Sequence, residues 1–252
     1  MRPAAIVTLD QLREEPYASV VCYPRGGKVE LRRRLEEMRK LGVSELMFAG
    51  EKQVFGLPVL GKGCVGIVVI ARVDGKEAAL KIRRTDADRA RMQREAHLLA
   101  KANAVCVGPQ LLRVSRNFLL MQLINGSLLP HWIENKPSKL KVMKVVRSIL
   151  EQCYRLDEAG LDHGELSHAP KHVIIARRDK PFIVDFETAS LGRRPSNVTS
   201  MCQFLFLSSQ VGTQIAEQLG MMDQEAILNA LRRYKSDRSC GNFEDVMLAC
   251  GL

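Results

Sequence analysis

The sequence predicts an α+β fold in two lobes, a small antiparallel-sheet lobe followed by a compact, mostly helical one. Three observations carry that expectation. Runs rich in β-branched residues cluster before residue 124, and Asp74-Gly75, between runs 67–73 and 76–82, is a two-residue hairpin signal. Apolar residues recur at helical spacing over 138–159, and the pattern stays mostly helical to the end. The 252 residues are 46% hydrophobic and 26% charged, which excludes global disorder and suffices for one large domain or two small ones.

The elements follow in order. Residues 1–52 form an N-terminal extension. It holds a strand-like run at 18–22, a turn at Pro24-Arg-Gly-Gly27, and a helix with Leu31, Leu35, Met38 and Leu41 on one face. Gly42 is placed to stop that helix. Arg32, Arg33, Arg34, Arg39 and Lys40 lie mostly off the apolar stripe and read as a solvated face, with an RNA or partner patch as the sharper alternative. Residues 53–124 form the sheet lobe: a strand over 53–60, the hairpin, a helix over 87–102 with Met92, Ala96 and Leu99 inward, and strands at 110–114 and 118–122. Residues 125–252 form the helical lobe. Its long helix is expected to turn Leu140, Met143, Val146 and Leu150 inward, and short strands follow at 173–176 and 182–184.

Composition narrows the function classes. Apolar runs such as 118–124 are strand-sized, far short of the roughly 20 residues of a membrane span, and no secretory signal is expected. Seven scattered cysteines without a CxxC pair read as free thiols in a reducing, cytoplasmic compartment. The net charge of +10 suits a polyanionic partner (nucleotide, RNA or an acidic protein face) and equally a basic soluble surface. One Trp and 5% aromatics are thin for a single-strand stacking binder.

Four motifs carry chemistry. Gly61, Gly63, Gly66 and Val68 make GxGxxGxV. A β-branched strand and a hairpin follow it where a dinucleotide fold would open a helix, and no Walker Gly-Lys-Ser/Thr is present. A glycine loop between antiparallel strands lets backbone approach triphosphate oxygens. Lys81, on the return strand, would direct its ammonium at phosphates, and Glu95 on the next helix would orient it by an ion pair. Leu161-Asp-His-Gly-Glu-Leu-Ser167 and Phe182-Ile-Val-Asp-Phe-Glu187 complete the set.

With these four motifs in this order, the chain resembles the atypical protein-kinase-like superfamily over residues 53–205, closest to RIO kinases, the kinase of the KEOPS complex and predicted archaeal serine/threonine kinases. The resemblance implies a bilobal kinase-like fold, ATP with Mg²⁺ or Mn²⁺, and transfer of the γ-phosphate to a protein hydroxyl, or ATPase action. It implies Glu165 in place of the catalytic Asp and Asp185 as metal ligand. Met121 would line the adenine pocket, with the backbones of Gln122 and Ile124 on the adenine edge.

Three departures from the family pattern stand out. The second metal-binding Asn falls on Pro170, or, if the next strand is aligned, on His172, whose imidazole suits Mn²⁺ better than Mg²⁺. Asp-Phe-Gly has become Asp185-Phe-Glu187, and Glu187 is expected to supply the missing oxygen ligand. No Ala-Pro-Glu or long activation segment follows. A zinc site from His168 and His172 is disfavoured by Pro170, and His163 reads as a backbone brace. Arg193 and Arg194 read equally as phosphate-neutralising or as a solvated turn. A small-molecule kinase and a nucleotide-binding pseudokinase or scaffold are the competing readings.

Overall fold

The computed structural model describes residues 5–88, 90–220 and 223–252. The chain forms two compact units, one comprising the chain through Ala100 together with Gln110–Leu123, the other Lys101–Pro109 and Ile124–Leu252.

The first unit is built on strands β1 (Ala5–Thr8), β2 (Val43–Phe48), β3 (Lys52–Val54), β4 (Leu57–Val59), β5 (Gly61–Lys62), β6 (Gly66–Val73), β7 (Lys76–Arg83), β8 (Leu111–Val114) and β9 (Phe118–Gln122). Helices α1 (Tyr17–Val21), α2 (Lys28–Lys40) and α3 (Ala90–Ala104, of which the part from Lys101 on belongs to the second unit) accompany them. A seven-stranded sheet runs in the order β1-β2-β6-β7-β9-β8, with β5 also paired to β6, and β3-β4 form a separate hairpin. Every pairing in the large sheet is antiparallel. Asp74 (φ +50°) and Gly75 (φ +75°) turn β6 into β7, the two positive φ values a type I′ turn needs.

Residues alternate across a strand, so the sheet has two distinct faces. Ile67, Val69, Ala71, Leu80, Ile82, Phe118 and Leu120 face a core shared with Leu12, Val20, Leu35 and Met38 of the N-terminal segment. Arg34 is wholly buried at this junction. It donates to the carbonyls of Val21 and Arg83, both through Nη1, and pairs with Glu30 at 2.8 Å. Arg83 is buried too and is held by Asn117 Oδ1. The segment from Val7 to Leu41 is thereby bound into the sheet's own core.

The second unit contains β10 (Gly126–Leu128), α4 (Leu129–Glu134), α5 (Lys139–Glu158), β11 (Val173–Ala176), β12 (Lys180–Ile183), α6 (Asn197–Cys202), α7 (Gln210–Leu219), α8 (Gln224–Ser236) and α9 (Cys240–Ala249). The three strands form one small antiparallel sheet. Along α5, Val142, Val145, Val146, Ile149, Leu150, Cys153 and Leu156 are buried. Near its C-terminus Asp157 accepts hydrogen bonds from the N–H groups of Asn197 and Val198, from Asn197 Nδ2 and from Tyr234 Oη. Burial raises the Asp157 carboxyl, and these donors oppose the rise. Among the described residues, no helix is long and apolar enough to cross a membrane.

The antiparallel sheet in the first part and the helices in the second are the kinase-like α+β architecture the sequence predicts. Five local expectations change. Arg34, expected on a solvated face, is wholly buried because its guanidinium is held by the Val21 and Arg83 carbonyls. Residues 18–22 are helical through Val21, because Val20 and Val21 are buried through a helical turn against the sheet core. Residues 53–60 are a hairpin, since Phe55 (φ +49°) and Gly56 (φ +77°) reverse the chain. Gly126–Leu128 is a strand paired with β11. Leu140 is 68% exposed, since the buried stripe of α5 begins at Val142.

Candidate functional site

By register, Val68, Ile70, Ala79, Lys81, Leu119 and Met121 stand on the sheet face opposite the N-terminal core. Helix α3 lies against part of that face, with Met92 and Ala96 packed on Leu119. Met92, Glu95, Ala96 and Leu99 are all buried at i, i+3, i+4 and i+7, so Glu95 occupies a place in an apolar stripe. Its carboxylate meets Lys81 Nζ at 2.8 Å, and the two residues are 3% and 4% exposed. Desolvating two charges costs several kcal/mol per ion, and a buried pair is weak evidence for stability. The arrangement fixes a buried lysine ammonium on the sheet face opposite the N-terminal core.

The glycine loop is the β5–β6 turn. Gly61 pairs with Val68, Val68 pairs with Lys81, and Gly63 N donates to Gly66 O at 2.8 Å. The three glycines are not equivalent. A Cβ on Gly66 would lie 2.7 Å from the Ile82 carbonyl oxygen and 3.2 Å from Lys81 Cγ, so the packing of β6 on β7 demands glycine there. On Gly61 and Gly63 the nearest atoms would be 3.6 Å and 3.7 Å away, ordinary contact. Nothing within the protein requires those two to lack a side chain, which suits close approach of a ligand to backbone. Met121 is half-buried on the same face. Gln122 donates its N–H to Gln110 O and accepts from Gln110 N through Oε1.

In the second unit, the two carboxylate motifs are laced together. Asp162 and Ser190 exchange backbone hydrogen bonds, at 2.9 and 2.8 Å. His163 takes Asn197 Oδ1 on its N–H, and Thr188 Oγ1 donates to its carbonyl. The His163 ring reaches Val184 O through Nε2 at 3.1 Å and lies edge-on to Phe186 and His172. Burial, with His172 beside it, pushes the His163 pKa down to about 4, so the ring is neutral at pH 7 and Nε2 carries the hydrogen. A Cβ on Gly164 (φ +90°) would lie 3.2 Å from Thr188 O and run into Arg193, so glycine is required between His163 and Glu165.

This lacing brings Glu165, His172 and Asp185 together. One ligand atom from each lies within 4.8 Å of the others. His172 Nε2 is 2.8 Å from Glu165 Oε2, and His172 Nδ1 is 4.0 Å from Asp185 Oδ2. His172 is buried, whereas both carboxylates are about one-third exposed. Burial lowers the His172 pKa, opposed by Asp185 and Glu165. Asp185 has φ +70°, a left-handed backbone that costs a non-glycine residue on the order of 1 kcal/mol or more. Strain of that kind concentrates at functional sites. Two carboxylates and an imidazole form a donor set that fits a divalent cation, and the buried, unpartnered Nδ1 of His172 points the same way.

The glycine-loop sheet with its buried lysine–glutamate pair, and the helical unit with its carboxylate cluster, define a protein-kinase-like chain. The family model described as RIO domain matches residues 69–197, and the chain belongs to this atypical protein-kinase-like family of kinases and ATPases. It is also similar to an uncharacterized protein of Methanocaldococcus jannaschii, 29% identical over 117 residues, which are 46% of this chain and 98% of that protein.

Of the sequence-predicted residues, Lys81, Glu95, Val68 and Met121 meet on one unit, and Glu165, His172 and Asp185 on the other. His172, rather than the exposed Pro170, reaches Asp185. Glu187 is not one of the three clustered residues. Arg193 is bonded to Asp162 at 2.7 Å and to Thr188 O, and Arg194 to Lys235 O, which places both in the packing of the turn. His168 is exposed against Ser167. The supporting Asp162 and Asn197 went unread in the sequence. A lone Asp before His-Gly and an Asn at a helix start carry no signal beyond ordinary turn and cap chemistry.

Proposed function

We propose that this chain is an ATP-dependent phosphotransferase of the serine/threonine type, acting on a protein hydroxyl. The observation that carries the reading is the buried Lys81–Glu95 pair, on the same sheet face as Val68 and Met121 and next to a loop whose Gly61 and Gly63 leave backbone open. Met121, the Gln122 carbonyl and the Ile124 backbone take the adenine. Gly61, Gly63 and Lys81 take the phosphates. Asp185, His172 and Glu187 would hold a divalent cation, Mg²⁺ or Mn²⁺, which would supply positive charge against the phosphates. Glu165 accepts the proton of the attacking hydroxyl as the new O–P bond forms and the bond to the β-phosphate oxygen breaks. The net charge of +10 and the unpaired cysteines suit a cytoplasmic protein with a polyanionic partner such as a ribonucleoprotein.

The test is turnover of labelled ATP by purified protein beside Asp185→Ala and Glu165→Ala, following free phosphate and label on protein. Loss in both variants is expected. Label on a protein hydroxyl supports the kinase, and free phosphate alone replaces it with an ATPase. ATP bound without turnover, across candidate acceptors, would instead make the chain a nucleotide-binding pseudokinase.

A further inference from the structure

Helix α8 buries Ile227, Ala230, Leu231 and Tyr234. Leu228, Leu231, Arg232 and Lys235, at i, i+3, i+4 and i+7, make a second face of the same helix. That face lines one side of a groove of about 320 Å³ within the second unit. Thr199 of α6 lines the groove too, with Leu207 at the end of the π-helical turn Gln203–Leu207 that follows α6. Ser208 stops that turn by donating both its N–H and its Oγ to the Gln203 carbonyl. Leu231 is 7% exposed, Leu207 is half-buried and Leu228 is 40% exposed, so the groove leaves leucine surface in contact with water. Its charge is one-sided as well. No carboxylate lines it, whereas Arg232 and Lys235 do. Arg194 is fastened beside them, donating to the carbonyls of Lys235 and Ser236 at the end of α8. The neighbouring Arg193 and Arg233 are paired, with Asp162 and Asp245. Arg194, Arg232 and Lys235 form no ion pair among the described residues, and Arg232 bonds only Asn229 Oδ1.

We infer that this groove docks an acidic amphipathic segment of a protein partner, with apolar side chains on Leu207, Leu228 and Leu231 and carboxylates on Arg194, Arg232 and Lys235. Charge complementarity fixes the sign of the partner, because three cations lacking a carboxylate of their own meet at one rim. The leucines fix its class. A nucleic-acid backbone would neutralise the cations and leave the leucine surface in water, whereas an amphipathic helix satisfies both, the apolar face in the groove and the acidic flank on the rim. Rim charges steer encounter and register, and apolar contacts at the centre set how long the complex lasts. The groove shares no residue with the Lys81–Glu95 pair or with the Glu165, His172 and Asp185 cluster, so the inference goes beyond the phosphotransferase reading and stands without it.

The experiment selects a displayed library of random peptides, long enough for about three helical turns, on the full chain and in parallel on Leu228→Glu. Peptides enriched on the wild type alone are expected to carry Leu-like residues at i, i+3 or i+4 beside Asp and Glu. The affinity of the best of them, labelled and synthesised, is then measured by fluorescence anisotropy. Leu228→Glu should weaken it about tenfold or more, through the loss of an apolar anchor and the repulsion of its carboxylates. Arg232→Glu should weaken it about fivefold, and most of that difference should vanish in high salt. Leu228 and Arg232 are both exposed, so neither substitution opens the core, and thermal melts check that. No enrichment, equal enrichment on Leu228→Glu, or enriched peptides without net negative charge would overturn the inference. So would an RNA oligonucleotide that displaces the peptide and binds Leu228→Ser like wild type, which would make the rim a phosphate-binding surface. Dimerisation that sedimentation shows to depend on Leu228 would give the groove to a second copy of this chain instead. ATP turnover is expected to be the same in Leu228→Glu as in wild type, so the docking surface and the phosphotransferase reading fail separately.

Discussion

The two charged clusters differ in how they are held. Lys81 and Glu95 are both nearly inaccessible, bonded at 2.8 Å, and carried by a central strand and a helix. Glu165 and Asp185 are about one-third exposed, sit on loops, and meet through a buried imidazole, with Asp185 in a left-handed backbone. Groups that bind can be set into regular structure and desolvated in advance. Groups that meet a proton or a cation are placed where loops converge and solvent reaches. Compared with the pattern the resemblance implies, the first cluster keeps the expected residue types and the second departs from them, at positions 165, 172 and 187.

The sharpest way to break this comparison is at the chemistry. Asp185→Ala should lower ATP turnover by about three orders of magnitude or more while leaving nucleotide binding measurable. If turnover survives, the second cluster is not the reactive one. Among variants that lack the carboxylate, Asp185→Gly should be about 1 kcal/mol more stable to denaturant than Asp185→Ala, because glycine accepts φ +70°. Equal stabilities would remove the strain from the account.

The first cluster should respond in stability as well as in binding. Lys81→Met strips Glu95 of its 2.8 Å cation and should destabilise the fold by about 3 kcal/mol. Adding Glu95→Leu should recover most of that loss without restoring nucleotide affinity. A double variant that stays as unstable as the single one would show that the pair is chiefly structural. The glycines give a finer contrast. Gly66→Ala should cost about 1–3 kcal/mol in denaturant unfolding, whereas Gly63→Ala should stay within about 0.5 kcal/mol and weaken ATP binding. The smallest effect is expected at Glu187→Gln, a several-fold weakening of metal–nucleotide binding by calorimetry. Unchanged binding would remove Glu187 from the ligand set.

Legibility in the sequence followed the range of the determining interaction. The Asp74-Gly75 hairpin, the long helix and the Lys81-to-Glu95 spacing rest on local pattern, and each was readable. The run at 18–22 misled because β-branched Val20 and Val21 suggest a strand, while burial against Leu12 and Met38 selects a short helix. The break at Phe55-Gly56 was hidden by continuous apolar character on both sides. The meeting of Glu165 with His172 was beyond reach. It depends on a loop closed by Asp162–Ser190 pairing and Asn197, and no periodicity links those positions. Asp162 and Asn197 are supports whose value appears only once the loops are folded.

The order of strands has a consequence for synthesis. Strand β7, with its six consecutive buried residues, pairs with β6 on one side and β9 on the other, yet α3 is translated before β9. A ribosome-bound chain therefore carries an unpaired β7 edge until Phe118–Gln122 has emerged, the kind of edge that captures other nascent chains. Slow elongation between α3 and β9 would prolong that exposure, so the yield of active protein should depend on elongation speed through this stretch.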